Sequence, residues 1–180
     1  MSWRGLRGTA QGVQHVSPRN LEDSGLSLHF GDTVRIAAPQ QRVWDFLLDP
    51  DSLGPCGPGV ESVEVVDETH YRAIVKVGIA QFRARFTVNI ELTDTQPISE
   101  ANVRGTAHAP GTAVDATARM SLESAGDDET IMTWEADVNV SGQLAAVGSR
   151  LIQWTANRLI GQTFDCVRSS LAAPAAAATA

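Results

Sequence analysis

The sequence predicts an α+β domain in which an antiparallel sheet is covered by one long C-terminal helix. Three observations carry this. Strict period-two alternation runs through much of residues 70–140. A helical apolar period occupies the stretch from about Gln143 to Leu171. Between the alternating segments lie only short clusters of turn residues, as an antiparallel sheet requires.

Taken in order, the first element is a strand around Leu26 to Ile36. Pro39 then stands where a first helical residue belongs, its fixed φ suited to that position. Val43, Phe46 and Leu47 follow at helical spacing, and Asp49-Pro50 ends the run. Leu53 to Gly59 (LGPCGPG) is turn chemistry. Tyr71, Ala73, Val75, Val77 and Ile79 share one face of the next strand. Phe82, Ala84, Phe86, Val88, Ile90 and Leu92 then alternate with polar neighbours. Further strands fit Glu100–His108, Ala113–Leu122 and Thr130–Val140. Thr95-Gln96-Pro97, Pro110-Gly111 and Gly126-Asp127-Asp128 punctuate them. After Ser141-Gly142, the terminal helix carries one stripe through Gly148, Ile152, Thr155, Leu159, Gln162 and Cys166. A second, adjoining stripe is Leu144, Val147, Leu151 and Trp154. At 1.5 Å per residue this helix is roughly 40 Å long, enough to cover the sheet.

At 180 residues the chain has room for one domain. Residues 1–24 show no periodicity and read as a flexible extension, residues 25–171 as the folded domain, and 172–180 (AAPAAAATA from Ala172) as a low-complexity tail. The formal charge of −7 is uneven, because residues 1–20 carry +3 and the remainder −10. Nucleic acid is therefore not an expected partner of the acidic body. No uncharged run is long enough to span a bilayer, and the N-terminus lacks the apolar core of a secretory signal. Cys56 and Cys166 lie far apart without a CxxC motif and read as free thiols in a reducing cytoplasm.

Apolar residues make up 43% of the chain, yet only 6% are aromatic. Eight expected inner-face positions are very small, namely Ala73, Ala84, Ala101, Gly105, Ala107, Ala116, Ala118 and Ala136. Either large neighbours fill the space above them, or the sheet and helix enclose a hollow for an apolar ligand. Catalytic chemistry is hard to assemble here. The four histidines fall singly, without metal-ligand spacing, so no metal is expected. No nucleophile elbow or phosphate-binding glycine loop follows a strand. Asp49/Asp51 and Asp127/Asp128/Glu129 sit beside turn residues, as solvated acids do.

Three segments resemble a known family when taken together in their order and spacing. They are Val43-Trp44 through Asp49-Pro50, with Leu53 and the CGPG of residues 56–59; Val77-Gly78 with Phe82–Leu92; and Gly142-Gln143-Leu144-Ala145 through Leu151. Over about residues 27–170 the chain resembles the CoxG family of carbon monoxide dehydrogenase subunits, within the Bet v 1/START-like (SRPBCC) superfamily. The resemblance implies a helix-grip fold, a seven-stranded antiparallel sheet wrapped around the C-terminal helix over a lipophilic pocket. It also implies an accessory, non-catalytic role beside a molybdenum hydroxylase of the carbon monoxide dehydrogenase type, in membrane recruitment or in handling a quinone.

The expected function is accordingly that of a cytoplasmic binding protein, in transient contact with the membrane. It would hold a hydrophobic small molecule such as menaquinone and use no other cofactor. Phe82, Phe86, Ala116, Ala118, Met120, Trp134, Leu151, Trp154, Thr155 and Leu159 are the candidate ligand-binding residues. Leu53, Cys56 and Pro58 are candidates for the pocket entrance. A ligand-free docking factor and a small cyclase or hydrolase of the same superfamily are the alternatives.

Overall fold

The computed structural model describes residues 25–172, so the N-terminal extension and the end of the tail lie outside the described residues. Seven strands form one sheet: β1 (Leu26–Ile36), β2 (Val60–Val65), β3 (His70–Ile79), β4 (Phe82–Gln96), β5 (Glu100–Ala109), β6 (Thr112–Gly126) and β7 (Glu129–Gly142). Every neighbouring pair is antiparallel, in the order β1-β7-β6-β5-β4-β3-β2. Strands β2 to β7 form a meander, and β1 closes on β7 at the far edge. The connection from β1 to β2 crosses the whole sheet through α1 (Gln40–Leu48), α2 (Pro50–Leu53) and a 3-10 turn (Gly54–Cys56). The described residues end in α3 (Ser149–Ala172). This is the expected α+β, helix-grip architecture.

Local chemistry sets the boundaries. Pro39 precedes α1 as its N-cap residue, one position before the place expected for it. Asp49 caps α2, its side chain accepting from the Asp51 N–H, and Pro50 occupies the first turn. At the β5–β6 hairpin Gly111 has φ 70°, and Gly142 lies against it at φ 78°. A Cβ on Gly142 would fall 2.1 Å from the Gly111 carbonyl oxygen, so only glycine fits there. The neighbouring Gln143 N–H donates to that same carbonyl at 2.8 Å, locking the end of β7 to the hairpin.

Three features differ from the sequence expectation. First, α3 begins at Ser149, six residues after the expected start, because Gly148 adopts φ 101° and interrupts the helical path. Second, β2 completes the seven strands implied by the family resemblance, but in a stretch that periodicity does not mark, because a register shift between Val60 and Ser62 disturbs its alternation. Third, Cys56 and Cys166 are not free thiols. They form a disulfide that spans 110 residues of sequence, with Cα atoms 5.3 Å apart. Their separation in the chain conceals a direct neighbourhood in space.

The core has two centres. One gathers Val34, Ile36, Val43, Trp44, Leu122 and Met132 around Val167 and Leu171 of α3. The other gathers Ile79, Phe86, Val140 and Leu144 around Ile152. Thus α3 runs from one centre to the other across the sheet. Thr130 is fully buried, and its hydroxyl donates to the Ala38 carbonyl at 2.7 Å, tying the start of β7 to the chain after β1.

Candidate functional site

Between α3, the α2 turn region and the concave face of β2–β7 lies a cavity of about 450 Å³. Its floor is the inner row of the sheet, with Ala73, Val75, Val88, Ile90 and Val103 among the residues exposed to it. Leu47, Leu48, Leu53, Gly54 and Gly57 wall it on the crossover side, and Thr163, Phe164 and Val167 on the helix side. A second apolar space of about 330 Å³ adjoins it, lined by Ala101, Ala118, Trp134, Leu159 and Ile160 among others. The two share Val103, Met120, Met132, Thr163 and Phe164 as a common wall.

The chemistry of these walls is almost wholly apolar. In the larger cavity Tyr71 and Thr163 supply the polar side-chain atoms. The Thr163 hydroxyl is engaged with the Leu159 carbonyl at 3.0 Å, and the Tyr71 hydroxyl points its proton at the Glu68 carbonyl at 3.4 Å. Arg119 at the second space is largely exposed and lies 4.0 Å from Glu135. The indole Nε1 of Trp134 is buried without a hydrogen-bond partner among the described residues. The groups with displaced pKa values lie away from the cavity lining. Glu61 is held low by its hydrogen bond to Arg85, and Arg85 is raised by the same bond. Asp67 is lowered to about 2, chiefly by the Thr69 backbone N–H and then by the His70 side chain. No group of three or more metal-ligating side chains occurs among the described residues. Such a site can desolvate an apolar guest; its lining carries no acid–base pair.

The expected site residues divide clearly. Met120 lines both spaces, Ala118, Trp134 and Leu159 line the second, and Leu53 lines the first. Phe82 and Phe86 instead pack on each other in the second core centre, ring centroids 6.3 Å apart. Ala116 is half-buried on β6 outside both linings. Leu151 and Trp154 are corrected from cavity wall to surface. Trp154 is 60% exposed, with the Arg158 guanidinium 6.0 Å from its ring centroid. Ile152 is the residue of that turn that faces the sheet, and residues at 151 and 154 project from the other side of the helix. Thr155 spends its hydroxyl on the Leu151 carbonyl and lines neither space. Cys56 is buried in the disulfide and Pro58 is half-buried beside the lining. Sequence reasoning missed Val103, Met132 and the β2 valine Val63 as lining residues. Of these, Val103 sits on the inner face of a strand that the periodicity places.

The family model for the CoxG component of carbon monoxide dehydrogenase matches residues 33–172. The chain belongs to the CoxG family. No curated protein matches it in sequence. A conserved protein from Geobacillus kaustophilus superposes with a TM-score of 0.76 at 27% identity, covering 81% of this chain and 95% of that one. The ZhuI aromatase/cyclase from Streptomyces sp. R1128 gives 0.62 at 17% identity, covering 81% and 94%. A START superfamily protein from Mycobacterium smegmatis gives 0.60 at 13%, covering 79% and 96%. The last two likenesses establish the fold alone, and that fold is START-like. Within the CoxG match fall both cavities and both cysteines. No described helix is long and apolar enough to cross a membrane.

Proposed function

We propose that this CoxG-family chain is a non-catalytic carrier for a lipophilic molecule. Its preferred cargo is an isoprenoid quinone such as menaquinone. It passes that cargo between the membrane, at the inner face of which it works, and a molybdenum hydroxylase of the carbon monoxide dehydrogenase type. The observation that carries this reading is the cavity of about 450 Å³ walled by aliphatic side chains, with the apolar annex beside it. Burying apolar surface is worth roughly 25 cal/mol per Å², so such a wall selects guests that water rejects. A nearly insoluble quinone needs a container of this kind to leave a bilayer. The family supports the accessory role and the enzyme partner.

Native mass spectrometry of the purified protein, with organic extraction and titration by a menaquinone, tests the reading. A retained lipophile or saturable quinone binding is the expected result. Absence of both overturns it. Conversion of a bound guest into a new product would favour the cyclase alternative, whose fold ZhuI shares.

A further inference from the structure

The disulfide stands at the edge of the cavity and joins two of its walls. Cys56 lies in the turn between Gly54 and Gly57, both of which line the larger cavity. Cys166 lies on α3 between Phe164 and Val167, which line it from the opposite side. The sulfur bridge is therefore a strap between the crossover wall and the helix wall. The turn's own backbone hydrogen bonds are local. Ser52 and Leu53 donate to the Asp49 carbonyl, Gly57 to that of Gly54, and Val60 to that of Gly57. Its base is fixed to the sheet where Lys76 N–H donates to the Gly59 carbonyl at 2.8 Å. Gly59, at φ 81°, comes so close to Lys76 that a Cβ would fall 2.2 Å from the Lys76 carbonyl oxygen. The segment thus has a fixed root at Gly59 and a covalent tie to α3 at Cys56.

We propose that Cys56–Cys166 is a reversible redox site that governs how fast the cavity exchanges its guest, slowly while the strap is intact and faster once it is reduced. The inference rests on the reading that the cavity holds a lipophilic guest. A dithiol reductant supplies the chemistry. One of its thiolates attacks Sγ of Cys166, the half-buried partner, and the sulfur–sulfur bond breaks to release Cys56 as a thiolate. The reductant's second thiolate then attacks its own sulfur in the mixed disulfide, the reductant leaves with an intramolecular disulfide, and Cys166 is freed as a thiolate. Two electrons and two protons pass from the reductant to the protein. With the tie gone, Gly54 and Gly57 are free to move as a unit away from Phe164 and Val167. Disulfides in reducing compartments are generally transient and redox-sensing. A carrier working at such a compartment's membrane would hold its cargo when oxidised and surrender it when reduced.

The test uses N-phenyl-1-naphthylamine as an apolar fluorescent guest and phosphatidylcholine vesicles as acceptor. Its dissociation is timed for the oxidised protein, for the protein reduced by dithiothreitol, and for the C56S/C166S double variant with and without dithiothreitol. Thiol alkylation and mass spectrometry record the redox state, and circular dichroism records folding. The expected result is dissociation at least about tenfold faster after reduction, with the double variant fast throughout and indifferent to reductant. Equal rates for oxidised and reduced protein overturn the redox role while leaving the cavity reading intact. Absence of guest binding in every state overturns both. Two alkylatable thiols in the air-oxidised protein, or unfolding of the wild type on reduction, likewise overturns the proposal.

Discussion

Trp134 on β7 and Phe164 on α3 pack ring against ring, centroids 5.7 Å apart and planes inclined by 33°. The pair closes the space between sheet and helix at the point where the two apolar spaces meet, since Phe164 borders both. Phe164→Ala removes this partition. Full burial of a phenylalanine is worth roughly 3–5 kcal/mol on truncation, and for this half-buried ring a loss of about 2 kcal/mol is expected. Denaturant unfolding measures it. Unchanged stability would mean that the stack contributes nothing.

Ala73 lies on the cavity floor, where β3 pairs with β2 at Val63 and with β4 at Val88. Ala73→Leu places three more carbons in that space. Binding of an apolar guest is expected to weaken by at least about tenfold, while the unfolding midpoint stays level or rises. Titration with a fluorescent lipophile and thermal unfolding check the two halves. Loss of stability with retained binding would place Ala73 in close packing instead.

Ile98 in the β4–β5 turn adopts φ 61°, a left-handed conformation that a β-branched residue occupies at a cost. The residue is 38% exposed, so its side chain lies outside the buried core. Ile98→Gly is expected to stabilise the fold by about 0.5–1 kcal/mol, read as a shifted urea midpoint. The Ile98 carbonyl, which accepts from the Gln40 side chain, survives the substitution.

Asp67 caps the β2–β3 turn, where its carboxylate accepts from the Thr69 and His70 backbone N–H groups. Folding lowers its pKa from 3.8 to about 2. A lowered acid contributes stability above its unfolded pKa, so the contribution is full at neutral pH and fades as pH falls from about 4 to about 2. Protection of the Thr69 and His70 amides, measured as exchange relative to the intrinsic rate at the same pH, should fall across that window. In Asp67→Asn that protection should already be low at pH 7 and should lose this acid-dependent step.

The sheet was legible because its inner residues alternate without a break in β3 and β4, from Tyr71 to Ile79 and from Phe82 to Leu92. β2 was not, because the irregularity between Val60 and Ser62 puts its valines out of simple period. The small residues gave a real signal of space, since Ala73 and Ala101 do border cavities. The helix carried two apolar stripes, and periodicity alone has no means of saying which one meets the sheet. Ile152, Leu159 and Val167 turn inward, whereas Leu151 and Trp154 turn out. Nothing in cysteine spacing reveals that residue 56 meets residue 166, because that meeting depends on how the crossover folds over the finished sheet.

The pairing of β1 with β7 matters for the order of events during synthesis. Leu26 faces Val140 and Ile36 faces Thr130, so the first strand has no neighbour until roughly a hundred further residues have been made. At roughly 5–20 residues per second, β1 waits on the ribosome for about 5–20 s with its hydrogen-bonding edge unpaired. Only then does β7 arrive, followed at once by the helix whose Cys166 reaches back to the crossover. A chaperone that shields the nascent N-terminal strand would raise the yield of this protein more than one acting on its C-terminal half.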